Sequence, residues 1–225
     1  MTHKLDRPVW HALRTSQSCF AEGNERALRY RADVAPFAAS GDDDDKSLAA
    51  LAALIRPDEI SILLQAGDAI IPNQCVADSI SPGVQMVARH IAMPADLDQV
   101  VKLSKDDAPQ MLALALLTKP GPFLPQTHRL GDFYGIKIEG RLVAMAGERM
   151  RIGGYTELSG VCTHPEFRGK GYAGLLSRLV AAHMIERGET PFLHAYASNT
   201  AAIRLYEQLG FAHRSAMSVA ALRRQ

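Results

Sequence analysis

A glycine-rich turn between a predicted strand and a predicted helix is the stretch of this sequence best suited to chemistry. Residues 156–163 alternate like an extended strand, Pro165 ends it, and Arg168–Gly169–Lys170–Gly171 leads into a helical pattern that begins at Tyr172. Such a turn presents unpaired backbone N–H groups where the helix dipole adds partial positive charge. The residues therefore predict a phosphate site, and a diphosphate suits it best.

The residue types of this turn exclude two common nucleotide motifs. Gly169 and Gly171 can take positive φ angles and let a ligand approach the backbone, Ala173 keeps the first helical turn small, and Arg168 and Lys170 add positive charge. A dinucleotide fingerprint needs a third glycine and a downstream acidic residue, and a P-loop needs a Gly-Lys-Ser/Thr ending. The plain alternative is an ordinary tight connection between a strand and a helix.

Two blocks in the second half of the chain resemble the GNAT superfamily of acyl-CoA-dependent N-acetyltransferases. Arg168-x-x-Gly171-x-Ala173 resembles its Gln/Arg-x-x-Gly-x-Gly/Ala motif, and the segment 199–211 resembles its Asn…Leu-Tyr-Glu-x-x-Gly-Phe block. The resemblance looks closest to the subgroup that includes the C-terminal domain of glycine N-acyltransferases. It implies an α/β (α+β) fold with a mixed, mostly antiparallel sheet flanked by helices.

The resemblance implies that acetyl-CoA is the acyl donor and that no metal ion takes part. The turn would bind the diphosphate, and the free edge of the preceding strand would bind the pantetheine arm, because GNAT folds splay two strands apart there. The backbone N–H of Val161 is the best candidate for stabilising an oxyanion, and Asn199 is expected to cap a helix and bind the coenzyme. The coenzyme-binding candidates are Val161, Cys162, Thr163, Arg168, Gly169, Lys170, Gly171, Tyr172, Ala173 and Asn199.

Glu157 and Tyr206 are the catalytic candidates that the resemblance implies. Glu157 lies eleven positions before Arg168, a spacing similar to that of the base in GNAT histone acetyltransferases, and partial burial would raise its pKa usefully. Glu148 or a water chain is the alternative base, and a strand carboxylate facing water is the plain interpretation of Glu157. Tyr206 matches the tyrosine that protonates the leaving thiolate in many GNAT enzymes, and is otherwise a half-buried core tyrosine.

Two other reactive side chains are not assigned catalytic roles. Cys162 is predicted to be a small buried thiol rather than an acyl carrier. His194 is predicted to be a strand histidine with a satisfied hydrogen bond.

The proline-rich segment 119–128 is the predicted acceptor side. Its three prolines and a glycine exclude a helix, and in a GNAT-like fold the segment at this place usually lines the acceptor site. A rigid surface loop is the equal alternative. The candidate acceptor-binding residues are Phe123, Gln126, Thr127 and His128.

Composition limits the classes of partner. The chain has 225 residues, 47% hydrophobic and 22% charged, with a net charge of +1, which is typical of a globular protein without a broad nucleic-acid surface. Its three cysteines lack metal-binding spacing and indicate reduced thiols in a cytoplasmic protein. The sequence shows no signal core and no run able to span a bilayer. We therefore expect a small-molecule amine as partner, neither nucleic acid nor membrane, and leave a homodimer open.

Two units are predicted along the chain. Residues 1–94 read as an α+β domain, a degenerate GNAT-like half without a phosphate turn, which would complete the core and shape the substrate side. Its later strands are predicted at 59–65 and 84–89, with a turn-rich segment between them. Residues 95–225 read as the GNAT N-acetyltransferase domain.

The leading functional hypothesis is an N-acyltransferase that moves an acetyl group from acetyl-CoA to a primary amine by direct attack in a ternary complex. A non-catalytic, acyl-CoA-binding sensor or scaffold is an alternative from another class. An acetyltransferase acting on protein N-termini or lysines is a third, and a markedly acidic acceptor groove would support it.

Overall fold

The computed structural model describes residues 3–225, which form five α-helices and eleven β-strands. The helices are α1 (Pro8–Arg14), α2 (Asp45–Leu54), α3 (Ala108–Thr118), α4 (Tyr172–Glu186) and α5 (Thr200–Gln208). The strands are β1 (Ala21–Gly23), β2 (Ala27–Tyr30), β3 (Ala38–Ser40), β4 (Ser61–Ala66), β5 (Cys75–Val87), β6 (Val100–Lys102), β7 (Phe133–Ile138), β8 (Arg141–Ile152), β9 (Tyr155–Thr163), β10 (Thr190–Tyr196) and β11 (Ala212–Arg224).

Eight strands form one large sheet in the order β4-β11-β5-β10-β9-β8-β7-β6, and β1 to β3 form a separate three-stranded sheet. Every neighbouring pair in the large sheet is antiparallel except β9 and β10. Leu176 and Val180 of α4 share a core with Val143, whereas Met111 of α3 shares another with Leu142. Because adjacent strand residues point to opposite faces, α4 and α3 flank the two faces of the sheet. The predicted mixed, mostly antiparallel sheet flanked by helices is confirmed.

The large sheet contains strands from both halves of the chain. β5, from the N-terminal half, lies between β10 and β11 and pairs antiparallel with both. β4 pairs with the other edge of β11. The division into units 1–94 and 95–225 stays a prediction. However, β4 and β5 belong to the same sheet as the strands of the second half.

The predicted strand at 59–65 is confirmed by β4, but the prediction of a turn-rich segment immediately before residue 84 is wrong. β5 begins at Cys75 and runs through Pro82, a segment that we expected to be rich in turns. Pro82 is accommodated where the pairing of β5 with β10 ends, because that pairing reaches only to Gly83. At the other end of the chain, β11 is one long strand that pairs with β4 and β5 at once.

Candidate functional site

A cleft opens where the parallel strands β9 and β10 separate. They pair from Tyr155 and Thr190 to Glu157 and Phe192, and no further along either strand. Beyond that point β9 stays paired only with β8, through Thr163. The edge of β9 that faces β10 therefore offers free backbone groups to a bound molecule, as the sequence analysis expected from splayed strands.

The glycine turn lies at the end of β9, at the mouth of this cleft. Gly169 and Gly171 have φ angles of 79° and 78°, which confirms the predicted positive φ. A Cβ atom placed on either glycine would have nothing within 4 Å. Within residues 3–225, the amides of Gly169, Lys170 and Gly171 form no hydrogen bond. These amides and the N-terminus of α4 are thus free to bind a phosphate.

The cleft has a volume of about 480 Å³. The structure places all ten predicted coenzyme-binding residues along it, together with Tyr206. These ten residues are Val161, Cys162, Thr163, Arg168, Gly169, Lys170, Gly171, Tyr172, Ala173 and Asn199. The open space beside the glycines and the unpaired amides fit a diphosphate group, and contact with coenzyme A itself stays a prediction.

Asn199, which caps α5, and Tyr206 of α5 both line the cleft. The side chain of Asn199 accepts a hydrogen bond from the amide of Ala202 at 3.2 Å, which confirms that it caps α5. The ring of Tyr206 packs edge-on against Phe211, with ring centroids 6.0 Å apart. Burial raises the pKa of Tyr206 to about 12, so its hydroxyl keeps its proton at neutral pH.

Comparison with a solved structure decides the family. An acetyltransferase assigned to the GNAT family from Novosphingobium aromaticivorans is 43% identical, with 100% of both chains covered and a TM-score of 0.92. The chain belongs to the GNAT family. The model of the family described as "FR47-like protein" matches residues 133–219, which contain both motifs of the sequence analysis.

More distant GNAT structures share the fold. A GCN5-related N-acetyltransferase from Kribbella flavida has a TM-score of 0.62 at 19% identity, over 96% of this chain and 93% of that chain. A GNAT-family acetyltransferase from Colwellia psychrerythraea has a TM-score of 0.54 at 11% identity, over 88% of this chain and 85% of that chain. No curated protein matches the sequence. GNAT acetyltransferases use acetyl-CoA.

Glu157 does not have the environment that we expected of a GNAT base. Its side chain is fully buried, and its two oxygens accept hydrogen bonds from Nε and Nη2 of Arg149 at 2.8 and 2.6 Å. Burial alone would raise its pKa, but the charge and hydrogen bonds of Arg149, with a hydrogen bond from His194, outweigh burial and lower it to about 2. The expectation of a raised pKa is therefore wrong, and the carboxylate stays ionised.

His194 and Arg149 are the two residues of this network that line the cleft. Nδ1 of His194 lies 2.7 Å from Oε1 of Glu157, and its Nε2 lies 2.8 Å from Nε2 of Gln85. The Gln85 amide also donates to the carbonyl of Leu5, and its oxygen accepts from Arg214, so its nitrogen faces His194 as a donor. In this arrangement Nδ1 of His194 donates to Glu157, and Nε2 accepts from the Gln85 amide.

Sequence analysis left His194 out of the site because a strand histidine with a satisfied hydrogen bond is the commoner case, and its neighbours in space are far apart in the chain. The parallel pairing of Phe192 with Glu157 sets His194 beside that carboxylate. The antiparallel register of β10 with β5 sets it opposite Gln85. The predicted satisfied hydrogen bond is present, but it belongs to a network that reaches the cleft.

The environments of Glu148 and Cys162 are those of structural residues rather than of reactive groups. Glu148 is buried, does not line the cleft, and pairs with Arg151 and with Arg187, the latter at 2.6 Å. Cys162 is buried, and burial raises its pKa to about 11, so a reactive thiolate is disfavoured at neutral pH. The interpretation of Cys162 as a small buried thiol agrees with this environment.

None of the four predicted acceptor residues is among the residues that line the cleft, and their role in acceptor binding stays a prediction. Phe123 is a core residue packed against Phe133, and Thr127 donates a hydrogen bond to the carbonyl of Val34 at 2.6 Å. Gln126 and His128 belong to the same 3₁₀ turn and its cap. The segment reaches the cleft through Pro120, Gly121 and Pro122 instead.

The part of the cleft next to Arg149 is lined by apolar residues from the N-terminal half and β11. These residues are Phe37, Ile62, Leu64, Met217 and Val219. The guanidinium of Arg149 lies over the Phe37 ring, 4.7 Å from its centroid. The expectation that the N-terminal half completes the core is confirmed by the buried cluster that joins Phe37 and Leu64 to Met217.

Neither a membrane-spanning helix nor a metal site is found within residues 3–225. No helix within residues 3–225 is long and apolar enough to cross a membrane. In the same range, no group of three or more histidine, cysteine or acidic residues is arranged to hold a metal ion.

Proposed function

We propose that this GNAT protein transfers an acetyl group from acetyl-CoA to a primary amine by direct attack within a ternary complex. The observation that carries the proposal is that one cleft joins the free amides of the glycine turn to Tyr206 and His194. Phosphate recognition and two groups able to move protons thus meet along one path.

The donor side follows from the free backbone groups. The amides of residues 168–173 would bind the diphosphate of the coenzyme, and the free edge of β9 would bind its pantetheine arm. The N–H of Val161 would stabilise negative charge on the thioester oxygen as the amine attacks. Losing one such donor typically costs a factor of 10² to 10³ in kcat.

His194 and Glu157 together supply the proton acceptor in this proposal. As the C–N bond forms and the C–S bond breaks, the attacking nitrogen gives a proton to Nε2 of His194, where the substrate takes the place of the Gln85 N–H. Glu157 accepts the hydrogen bond from Nδ1 and stabilises the imidazolium, as the carboxylate of a catalytic triad does. Arg149 keeps that carboxylate ionised. Glu157 is then a positioning residue rather than the direct base.

Tyr206 supplies the proton for the departing thiolate. Tyr206 lines the cleft, and its hydroxyl, with the pKa raised to about 12, is protonated when the thiolate leaves. The coenzyme thiol and the N-acetylated amine are the two products, and the proton taken up by His194 is returned through solvent to the Tyr206 phenolate, so the enzyme regains its starting state.

A mass-spectrometric screen of an amine library with acetyl-CoA tests the proposal. We expect an N-acetylated product and thiol release above the background without amine. For the His194→Gln variant we expect kcat to fall by about 10² to 10⁴, with acetyl-CoA affinity unchanged by calorimetry. Tight coenzyme binding without any amine-dependent thiol release would instead identify a sensor.

The pH profile distinguishes His194 from Glu157 as the base. With one amine used throughout, the substrate contributes equally to every profile. We expect an acidic limb in kcat/KM for the natural protein that is lost in His194→Gln. A limb that persists in His194→Gln and disappears in Glu157→Gln would assign the base to Glu157.

A small amine is favoured over a protein N-terminus or lysine as acceptor. Among the described residues that line the cleft, none is aspartate or glutamate, so the acidic groove that would favour a basic protein segment is not observed. Closer kinship with the glycine N-acyltransferase subgroup and a homodimer both stay predictions. The free cysteines, Cys19, Cys75 and Cys162, support a cytoplasmic setting.

A further inference from the structure

The apolar chamber of the cleft, formed by Phe37, Ile62, Leu64, Met217 and Val219, is built by strand register. Val219 of β11 pairs with Leu64 of β4. Met217 and Ile62 each lie two residues from one of that pair, so the four side chains share one face of the sheet. Phe37 reaches this face through a bridge to Ile62. The chamber is therefore fixed by the sheet rather than by a mobile loop.

Gly83 keeps the wall of this chamber open. It pairs with Tyr196 of β10 and with Met217 of β11. A Cβ atom on Gly83 would lie 3.3 Å from Cγ2 of Val219 and 3.5 Å from Cβ of Met217. A larger side chain at this position would fill space that a substrate can use.

The chamber offers no free charge to a second ionic group of a substrate. Arg149 is the charged residue at this end of the cleft, and both oxygens of Glu157 neutralise it. The other charged lining residues, Arg168 and Lys170, lie at the glycine turn. Without a lining carboxylate, neither a second ammonium group nor a polycation gains from binding here.

We propose that the acceptor is a primary amine carried on an apolar body, and that this body fills the apolar chamber. The inference rests on the proposed function. The Phe37 ring lies under the guanidinium of Arg149, which shares Glu157 with His194, so the chamber lies beside the proposed proton acceptor, where the attacking amine must be held. Burial of apolar surface, rather than ion pairing, then supplies acceptor affinity.

A series of linear and aryl-substituted alkylamines tests the proposal at fixed acetyl-CoA. We expect kcat/KM to rise about three- to four-fold per added methylene until the chamber is full. Diamines of equal length and amino acids should react at least tenfold more slowly. A flat series, or a preference for diamines, would overturn the inference while leaving acetyl transfer intact.

A second series of substrates tests whether the chamber holds the body of the amine or the acyl chain. Acyl-CoA donors of increasing chain length are compared with one short amine. We expect kcat/KM not to rise for acyl groups longer than acetyl. If kcat/KM rises with the length of the acyl group and not with the length of the amine, the chamber holds the acyl chain and the inference is wrong. If no amine reacts with any donor although acetyl-CoA binds, the proposed function itself fails.

Variants of the chamber wall provide the matched test. Ile62→Thr and Val219→Thr keep the β-branched shape of the side chain. Each should reduce the slope of kcat/KM against amine length at least threefold, with acetyl-CoA affinity unchanged. Ile60→Thr is the control, because Ile60 lies two residues before Ile62 but is 56% exposed and outside the cleft. Thermal unfolding identifies any variant that fails to fold, and the second variant then carries the test. An unchanged slope in both folded variants would contradict the proposal.

Discussion

At the scale of single residues, the environment of a carboxylate decides what it can do. Glu157 and Glu148 are both buried, and both were candidate bases. Arginine partners hold each of them, and neither lines the cleft. A carboxylate with a pKa near 2 is a weak base, but it can hold a histidine in one tautomer.

The Tyr206→Phe variant is expected to lower kcat by about 10², because the phenol is lost while the ring still packs against Phe211. Steady-state kinetics with calorimetry of acetyl-CoA binding measures this, and the affinity should stay within a factor of about two. Tyr134→Phe is the control, since Tyr134 lies on β7 outside the cleft. Equal kcat values for Tyr206→Phe and the natural protein would remove the acid role.

The Arg149–Glu157 pair is expected to make stability depend on acid pH. The pKa of Glu157 falls from its ordinary 4.5 to about 2 on folding, so the stabilisation is complete above about pH 4.5 and is lost as pH falls towards 2. It is on the order of 3 kcal/mol. Urea unfolding across this range should show a steeper loss for the natural protein than for Glu157→Gln. Parallel curves would contradict the assignment.

Removing the other partner of this pair is expected to be more damaging at neutral pH. Arg149→Met leaves the buried Glu157 carboxylate without its counter-ion, which typically costs about 3–5 kcal/mol. The double variant Arg149→Met with Glu157→Gln should recover part of that loss, because no unpaired charge then remains. Urea unfolding of the three variants at pH 7 measures the coupling.

At the scale of elements, the junction of β9 with α4 is the part that local sequence describes best. Pro165 and the glycines mark where the strand ends and the helix begins. Their effect is local, because proline and glycine limit or free the backbone of their own residue. β5 shows the opposite case, since its neighbours β10 and β11 stabilise a strand through a segment with turn composition.

The Gly171→Ala variant is expected to weaken acetyl-CoA binding about tenfold or more. An L-residue at its φ of 78° costs about 1–2 kcal/mol, and the new methyl group enters the space where phosphate would approach. Gly140→Ala is the matched control, because Gly140 has the same φ of 78° in the turn between β7 and β8, outside the cleft. Both variants should lose similar stability. Equal coenzyme affinities of the two variants by calorimetry would contradict diphosphate binding at the glycine turn.

At the scale of the whole molecule, the two halves of the chain depend on one sheet. β10 and β11 are not neighbours, because β5 from the N-terminal half lies between them. Phe37, Ile62 and Leu64 from that half also line the cleft. The N-terminal half therefore supplies both sheet structure and the wall of the chamber.

A fragment of residues 95–225 is expected not to fold cooperatively. Without β5, facing edges of β10 and β11 lose their backbone partners, and exposed sheet edges favour aggregation. Circular dichroism with thermal unfolding and size-exclusion chromatography measures this against the full chain. A monomeric fragment with a cooperative transition would instead support an independent domain from residue 95.

The local motifs indicated the family and the coenzyme side of the site, because those residues are close together in the chain and act through their own backbone. The Arg168-to-Ala173 turn and the helix cap at Asn199 could be recognised without any long-range contact. The place of His194, the pairing of Glu157 with Arg149 and the apolar chamber required the folded structure. They arise from strand register and burial between segments distant in sequence, and such contacts leave no local pattern in a single chain.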